Sequence, residues 1–314
     1  MPVSVQFLGS EGVFSRSVLQ ALLVAGGNVV KVWLAGTTVS SVVAKAPGSA
    51  HLPPIPVENL NTLGGMARAW GIPQQAITSA RELRSPQPAG IDPVDILLAA
   101  CFPFRLPKWL LALPTNGCLN LHPSLLPAYR GPTPLFWQLR AGLSTGGITL
   151  HVMTEALDAG DIVAQESLFF PPGITAMAAN QQLAEIGGRL VVGALATLEG
   201  GTLRRRSQEE QDASYFSWPK ESDFRLCTHW PAERAFRFIR GTADWSRPYS
   251  LLFGDRRFSI AGVTGFSPDG VLDNPWEWRG AELWVRFRPG ILRAIPVEMP
   301  SSHAAAYELF KMPR

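Results

Sequence analysis

The sequence predicts an α/β protein with an open, mostly parallel sheet, followed by a smaller C-terminal domain of short strands. Apolar runs of strand length alternate with helical patterns through the first 200 residues, as they do in α/β domains. At 314 residues the chain exceeds one average domain. Its 46% hydrophobic and 17% charged residues are typical of a folded protein with a sizeable core. Two domains of unequal size are therefore expected.

The chain opens with a βαβ unit. Residues 3–8 form a β-rich run, a glycine turn at 9–12 breaks it, and residues 15–25 carry apolar side chains at helical spacing before a second strand at 29–34. Two parallel strands with a right-handed crossover are expected here. Further strands are predicted at 95–100, 117–121, 147–153 and 162–170, and helices at 61–70, 107–113, 134–141 and 175–198. Together these elements predict a Rossmann-like sheet.

The composition changes after Gly200 and Gly201, where a polar stretch begins. A helix at 232–240 and short strands at 249–253, 257–263, 283–287 and 291–297 are predicted beyond it, with Gly254 and Asp255 as a hairpin turn. Short strands with one helix favour a small, OB-like β-barrel. The predicted domains are residues 1–203 and 215–314, joined by a linker at 204–214 whose Arg204 to Arg206 are expected on the surface.

Composition narrows the function classes. Lys and Arg number 28 against 25 Asp and Glu, and this excess of +3 lies in residues 201–314, so nucleic-acid binding is compatible with the chain but not required. Cys101, Cys118 and Cys227 have no CxxC spacing, which argues against a disulfide framework and a zinc site. The start lacks the pattern of a signal peptide, and the most apolar later run, 186–198, is too short to span a bilayer. We expect a cytoplasmic protein without membrane contact.

The chemistry is expected in two segments, residues 120–127 and 157–161. Asn120 and His122 alternate at the end of a strand, which places both side chains on one face. Ligands of open α/β sheets bind outside the carboxyl ends of the strands, where these residues would lie. An amide, an imidazole and the carboxylate of Asp158 meeting there could stabilise an oxyanion and move a proton.

The pattern N-x-H-x-S-L-L-P at 120–127, followed by L-D-x-G-D at 157–161, resembles the folate-dependent formyltransferases, in particular their two-domain, methionyl-tRNA formyltransferase-like branch. The resemblance implies that a formyl group passes from 10-formyltetrahydrofolate to a primary amine without a metal. It implies that Asn120 binds the developing oxyanion. Protonated His122 would add to that stabilisation and deliver a proton. Asp158 would hold His122 and accept the proton that the amine loses.

The resemblance also implies two sets of binding residues. Those expected to line the folate pocket are Ala100, Cys101, Phe102, Phe104, Thr154 and Leu157. Those expected near the acceptor are Phe14, Ser124, Arg130 and Gly131. The histidines at 51, 151, 229 and 303 are expected to have structural roles, and on an apolar strand a packed role is expected for His151.

The acceptor stays open between methionyl-tRNA and a smaller amine such as an amino sugar. Segment 35–61 holds a single basic residue, Lys45, where the tRNA branch carries a basic insertion, and phosphate binding needs Lys or Arg. Segment 130–137 departs from the R-G-A-A-P-I of that branch. The two-domain layout and the basic C-terminal third favour tRNA. Hydrolysis of the formyl group by water and a folate-binding module without activity are the remaining alternatives.

Overall fold

The computed structural model describes residues 2–36, 60–84 and 93–297 and divides into two units. The first unit comprises Met1–Pro134, Gly147–Leu168 and Asn180–Phe216, and the second comprises Leu135–Gly146, Phe169–Ala179 and Ser217–Arg314. The second unit thus takes two segments from within the first 200 residues, so the contacts divide the chain less simply than the predicted boundaries at 203 and 215, which stay a prediction. Lys45, His51 and His303 lie outside the described residues.

The larger sheet has seven strands in the order β3-β2-β1-β4-β5-β6-β7. Strands β1 to β5 pair in parallel, and β6 runs antiparallel to β5. The mostly parallel sheet is therefore confirmed, and its order reverses direction at β1 and β4, where such sheets bind ligands. The strands are Ser4–Ser10 (β1), Asn28–Ala35 (β2), Gln74–Ile77 (β3), Ile96–Ala100 (β4), Cys118–His122 (β5), Thr145–Val152 (β6) and Ile162–Phe169 (β7).

Helices follow the predicted apolar spacing. Helix α1 turns Val18, Leu19, Leu22 and Leu23 into the core, as the period of 3.6 residues requires. Every residue of β4 is buried, which explains why this strand lacks polar alternation. The helices are Val13–Val24 (α1), Leu63–Ala69 (α2), Lys108–Leu111 (α3), Pro134–Ala141 (α4), Ala176–Glu199 (α5) and Ala232–Gly241 (α6), with short 3₁₀ turns at Ala80–Leu83, Glu210–Asp212, Glu221–Phe224 and Ala243–Trp245. None of the helices within the described residues is long and apolar enough to cross a membrane.

The second unit contains the four predicted short strands and an additional one, β10, in one antiparallel sheet of five, in the order β10-β11-β12-β9-β8. Gly254 and Asp255 form the predicted hairpin turn between β8 and β9, with Gly254 at φ 55°. Aromatic residues dominate its core, where Phe136, Phe224 and Phe238 pack together. The strands are Tyr249–Phe253 (β8), Arg256–Ser267 (β9), Trp276–Arg279 (β10), Glu282–Arg286 (β11) and Ile291–Pro296 (β12).

Candidate active site

The carboxyl end of β5 carries the predicted pair of polar residues. Asn120 lies directly opposite His151 of β6 in the antiparallel register, so both side chains lie on the same face of the sheet. His122, two residues further along β5, shares that face and is only 4% exposed. The described structure therefore collects an amide and two imidazoles on one small area of the first unit.

His122 is held by a backbone carbonyl. Its Nε2 lies 2.8 Å from the carbonyl oxygen of Tyr129. Because a carbonyl can only accept, Nε2 carries a hydrogen and donates it. The other ring nitrogen, Nδ1, lies 3.7 Å from Oδ2 of Asp158. The proton that this imidazole can gain or lose is therefore the one on Nδ1, beside the carboxylate.

Asp158 is a buried carboxylate, 8% exposed, between the two histidines. Its Oδ2 accepts a hydrogen bond of 2.9 Å from the backbone N–H of Gly131. Its Oδ1 lies 3.7 Å from Nε2 of His151. The loop that follows β6 thus brings Asp158 to the same distance from both imidazoles.

His151 is the residue whose role the sequence did not reveal. Its Nδ1 donates to the carbonyl of Val152 at 2.9 Å, and its Nε2 lies 3.0 Å from Nδ2 of Asn120. Burial, and next the charge of His122, lower the pKa of His151 to about 4, although Asp158 opposes the shift. His151 is thus a neutral imidazole whose Nε2 accepts from Asn120. It is buried as expected, and it also orients a predicted catalytic side chain, which the expected packing role did not include.

A second network fixes the loop between β5 and α4. The hydroxyl of Ser124 donates to the carbonyl of Ala128 at 2.7 Å, and Thr149 Oγ1 donates to the carbonyl of Ser124 at 2.6 Å. The N–H of Leu126 donates in turn to Thr149 Oγ1 at 3.1 Å. These bonds hold the loop that presents the Tyr129 carbonyl to His122. Ser124 is fully buried, so the structure gives it this local role, and its expected contact with the acceptor stays a prediction.

Strained backbone is concentrated around the site. Cys101, Tyr129 and Asp158 have φ angles of 55°, 61° and 54°. In the described residues only one other residue besides glycine, Ser246, has a positive φ. Each such conformation costs about 1–3 kcal/mol and persists where surrounding contacts impose it. Here Cys101 immediately follows β4, Tyr129 supplies the carbonyl that accepts from His122, and Asp158 carries the buried carboxylate.

The expected folate-lining residues lie on two segments of the first unit, after β4 and after β6. Ala100 is buried at the end of β4, and Cys101 follows it. Phe102 and Phe104 pack edge to face with ring centroids 5.5 Å apart. The hydroxyl of Thr154 donates to the carbonyl of Ala156 at 2.9 Å, and Leu157 is 43% exposed. A role in folate binding stays a prediction for all six.

The residues expected near the acceptor are placed differently from one another. Gly131 donates its N–H to Asp158 and so belongs to the site itself. Arg130 is 8% exposed and binds Glu210 at 2.7 Å, so its guanidinium has an internal partner. Phe14 is 4% exposed and faces the core from α1. Contact with an acceptor stays a prediction for these residues.

A cavity of about 310 Å³ lies in the first unit, and none of the six expected folate-lining residues lines it. Its apolar lining comes from Ala80, Leu83, Leu106 and Pro107, and its charged lining from Arg84, Arg105, Lys108 and Glu155. Lys108 pairs with Glu155 at 2.9 Å, and Arg105 donates to the Glu155 carbonyl. The volume lies within the range of about 300–1,000 Å³ for small-molecule sites.

Comparison with known proteins identifies formyltransferases as relatives of this chain. A family model described as "Formyl transferase" matches residues 86–195. The methionyl-tRNA formyltransferase of Variovorax paradoxus is 31% identical over 261 residues, which cover 81% of this chain and 77% of the relative. The methionyl-tRNA formyltransferase of Moorella thermoacetica is 31% identical over 267 residues, with coverage of 84% and 81%.

Solved structures show the same fold at lower identity. WlaRD, a sugar 3N-formyl transferase solved with dTDP and 5-N-formyl-THF, has a TM-score of 0.63 at 15% identity and covers 96% of this chain and 100% of its own. A methionyl-tRNA formyltransferase from Clostridium thermocellum has a TM-score of 0.50 at 14% identity, with coverage of 94% and 99%. At these identities the likeness concerns the fold alone.

Proposed function

The chain belongs to the formyltransferase family, and on that premise we propose that it formylates the amino group of methionyl-tRNA, with Asn120, His122 and Asp158 as catalytic residues. The reaction is folate-dependent formyl transfer. The observation that carries the choice of acceptor is the extent of the 31% identity to methionyl-tRNA formyltransferases. The alignment covers 81% of the chain, and residues 217–314 make up about a third of the chain. The part of the chain left unaligned is smaller than this segment, so the alignment must extend into residues 217–314.

The described residues fit 10-formyltetrahydrofolate as the co-substrate. An aromatic ligand that carries carboxylates needs an apolar wall and cations, and the cavity offers Leu83 and Leu106 together with Arg84 and Arg105. The second half of the fit is the cluster at the end of β5, which offers a hydrogen-bond donor and a carboxylate to the reacting atoms. Lys108 adds a further positive charge at the cavity, partly neutralised by its own ion pair.

Asn120 is suited to bind the formyl oxygen as that oxygen becomes negative. When bound, 10-formyltetrahydrofolate supplies an activated formyl carbon. The Nδ2 of Asn120 has two hydrogens, and the neutral His151 accepts one of them, which fixes the plane of the amide. The second hydrogen is the one we assign to the formyl oxygen. A donor held in place before the reaction needs no reorganisation during it, which is the basis of oxyanion stabilisation.

Asp158 and His122 are suited to move the protons of the reaction. The amine nitrogen bonds to the formyl carbon and the bond from that carbon to N10 breaks, so the amine loses one proton and N10 gains one. Asp158 accepts the proton of the amine. His122 has its exchangeable position, Nδ1, 3.7 Å from Asp158 and delivers a proton to N10. Proton balance is thereby kept within the buried pair.

The proposal is tested by offering purified enzyme and 10-formyltetrahydrofolate three alternatives: methionyl-tRNA, a panel of amino sugars, and no amine. We expect transfer to methionyl-tRNA that falls steeply with added salt, because each phosphate contact contributes to the slope of log K against log[salt]. Efficient, salt-insensitive transfer to an amino sugar would overturn the choice of acceptor. Release of formate at the full rate without amine would identify a hydrolase instead.

Folate binding is tested separately from turnover. The stable analogue 5-formyltetrahydrofolate should raise the melting temperature of the protein without any amine, since a ligand that binds only the native state stabilises it. An unchanged melting temperature at millimolar analogue would contradict a folate site.

The proposal includes a cytoplasmic location, because the three cysteines form no disulfide within the described residues.

A further inference from the structure

Gln208 connects the two backbone segments that hold the catalytic pair. Its Nε2 donates to the carbonyl of Asp158 at 2.8 Å and to the carbonyl of Gly160 at 2.7 Å. Its Oε1 accepts from Arg130 Nε at 3.2 Å and from Arg130 Nη2 at 2.9 Å. Both amide hydrogens and both lone pairs are therefore used. The amide can have only this orientation, because the reverse would place its hydrogens against the guanidinium and its oxygen against two carbonyls.

Both segments act directly on the predicted catalytic residues. On one side, Arg130 lies between Tyr129, whose carbonyl accepts from His122, and Gly131, whose N–H binds Asp158. On the other side, Gln208 binds the carbonyl of Asp158 itself. Gln208 thus joins the backbone of the Asp158 loop to the Arg130 side chain, and through Arg130 to the segment from Tyr129 to Gly131.

The backbone conformation of Asp158 explains why the hydrogen bonds from Gln208 are needed. Asp158 has a φ of 54°, in the left-handed region, which is unfavourable for an L-residue. Without these bonds the backbone of Asp158 could rotate to a more favourable conformation. That rotation would carry the carboxylate away from His122 Nδ1. The two hydrogen bonds from Gln208 to residues 158 and 160 oppose that rotation.

We infer that Gln208 is a positioning residue for formyl transfer, which holds Asp158 in register with His122 through the carbonyls of Asp158 and Gly160 and through Arg130. The inference rests on the proposed roles of Asp158 and His122. It extends the site into a polar segment that the sequence predicts as a linker. The neighbouring Glu210 binds the same guanidinium through two oxygens, whereas the hydrogen bonds to the carbonyls of residues 158 and 160 come from Gln208.

Two substitutions test the inference. Gln208→Glu keeps the size and an acceptor for Arg130, so folding should be retained, but it places an oxygen without a hydrogen against two carbonyls. Gln208→Leu removes every one of these bonds. We expect kcat to fall about tenfold to a hundredfold in both variants, because a misplacement of about 1 Å at a reacting group costs rate on that scale. The KM for 10-formyltetrahydrofolate should change less than about threefold.

Gln211→Leu is the matched control, since Gln211 is an exposed residue of the same segment. It should leave kcat, KM and the melting temperature unchanged. Unchanged kcat in Gln208→Glu and Gln208→Leu, with a lower melting temperature, would reduce Gln208 to a structural role and overturn the inference. Equal rises of KM and losses of kcat/KM would also overturn it, because they would indicate a defect in folate binding.

A second readout does not depend on turnover. The amide proton of Gly131, which binds the Asp158 carboxylate, should have a distinct NMR shift that moves in both Gln208 variants and stays in Gln211→Leu. A shift that moves in a protein inactive toward every amine would support the positioning role while the proposed function fails. A shift that stays constant would overturn the positioning role whatever the reaction is.

Discussion

The neutral state of His151 predicts a definite pH dependence of stability. Burial and the charge of His122 lower its pKa from 6.5 to about 4 in the folded protein, and its side chain is only 2% exposed. Between these two pH values the unfolded chain binds one more proton than the folded protein. Stability therefore falls as the pH falls through this window, by about 1.4 kcal/mol per pH unit and about 3 kcal/mol in total. Above pH 6.5 the contribution is fully present.

His151→Gln isolates this contribution, because Gln cannot titrate yet can accept from Asn120. The free energy of unfolding of both proteins, measured in urea from pH 4.5 to 7.5, should converge as the pH falls: the wild-type protein loses stability that the variant has no histidine to lose. The C–H resonances of His151 should not titrate in the folded wild-type protein above pH 5.5. A midpoint near 6.5, or a parallel pH dependence of the two proteins, would refute the neutral imidazole.

Four further substitutions test the site. Asn120→Ala and His122→Ala should each lower kcat about 10²–10³-fold with an unchanged circular dichroism spectrum, and turnover within about twofold of wild type would contradict their catalytic assignment. Gly131→Ala should destabilise the protein by about 2 kcal/mol or more in thermal unfolding, because Gly131 has a φ of 117° and a Cβ there would lie 2.0 Å from the carbonyl oxygen of Phe216. An unchanged melting temperature would show that the loop can move. Arg105→Ala should raise the KM for 10-formyltetrahydrofolate about tenfold at low salt, by loss of a charge-assisted bond, and an unchanged KM would exclude this cavity as the folate site.

How much of the fold was accessible from sequence depends on how buried each element is. The strand at 95–100 was recognisable because it is apolar throughout, and the structure buries every residue of β4. Strand β3, Gln74–Ile77, was not predicted because its four residues are too few to establish an alternating pattern and two of them are glutamines. Strand β10, Trp276–Arg279, is likewise four residues long, with Glu277 between its two tryptophans. Both lie at a sheet edge, but so do β7 and β8, which were predicted, so strand length and composition rather than edge position decide how much signal the sequence carries.

The candidate site was likewise only partly predictable from the sequence. Alternation along a single strand was enough to place Asn120 and His122 on one face. The contribution of His151 depends on the register between two antiparallel strands, which no local pattern encodes. Gln208 lies in a polar stretch some 50 residues after Asp158, and only the folded backbone brings its amide to two carbonyls of that loop. Residues that act through backbone groups leave no recognisable spacing in a sequence.

The two histidines around Asp158 are equivalent by distance, 3.7 Å each, but not by chemistry. His151 uses Nδ1–H on the carbonyl of Val152, so its Nε2 faces Asn120 and Asp158 as an acceptor without a hydrogen. His122 uses Nε2–H on the carbonyl of Tyr129, so its Nδ1 is the ring position beside Asp158 where a proton can be added. Backbone carbonyls therefore select opposite tautomers in the two rings. In the proposed mechanism, one imidazole beside the carboxylate therefore orients the oxyanion donor and the other exchanges the proton. This asymmetry follows from the strand register and the loop after β5 rather than from the identity of the side chains.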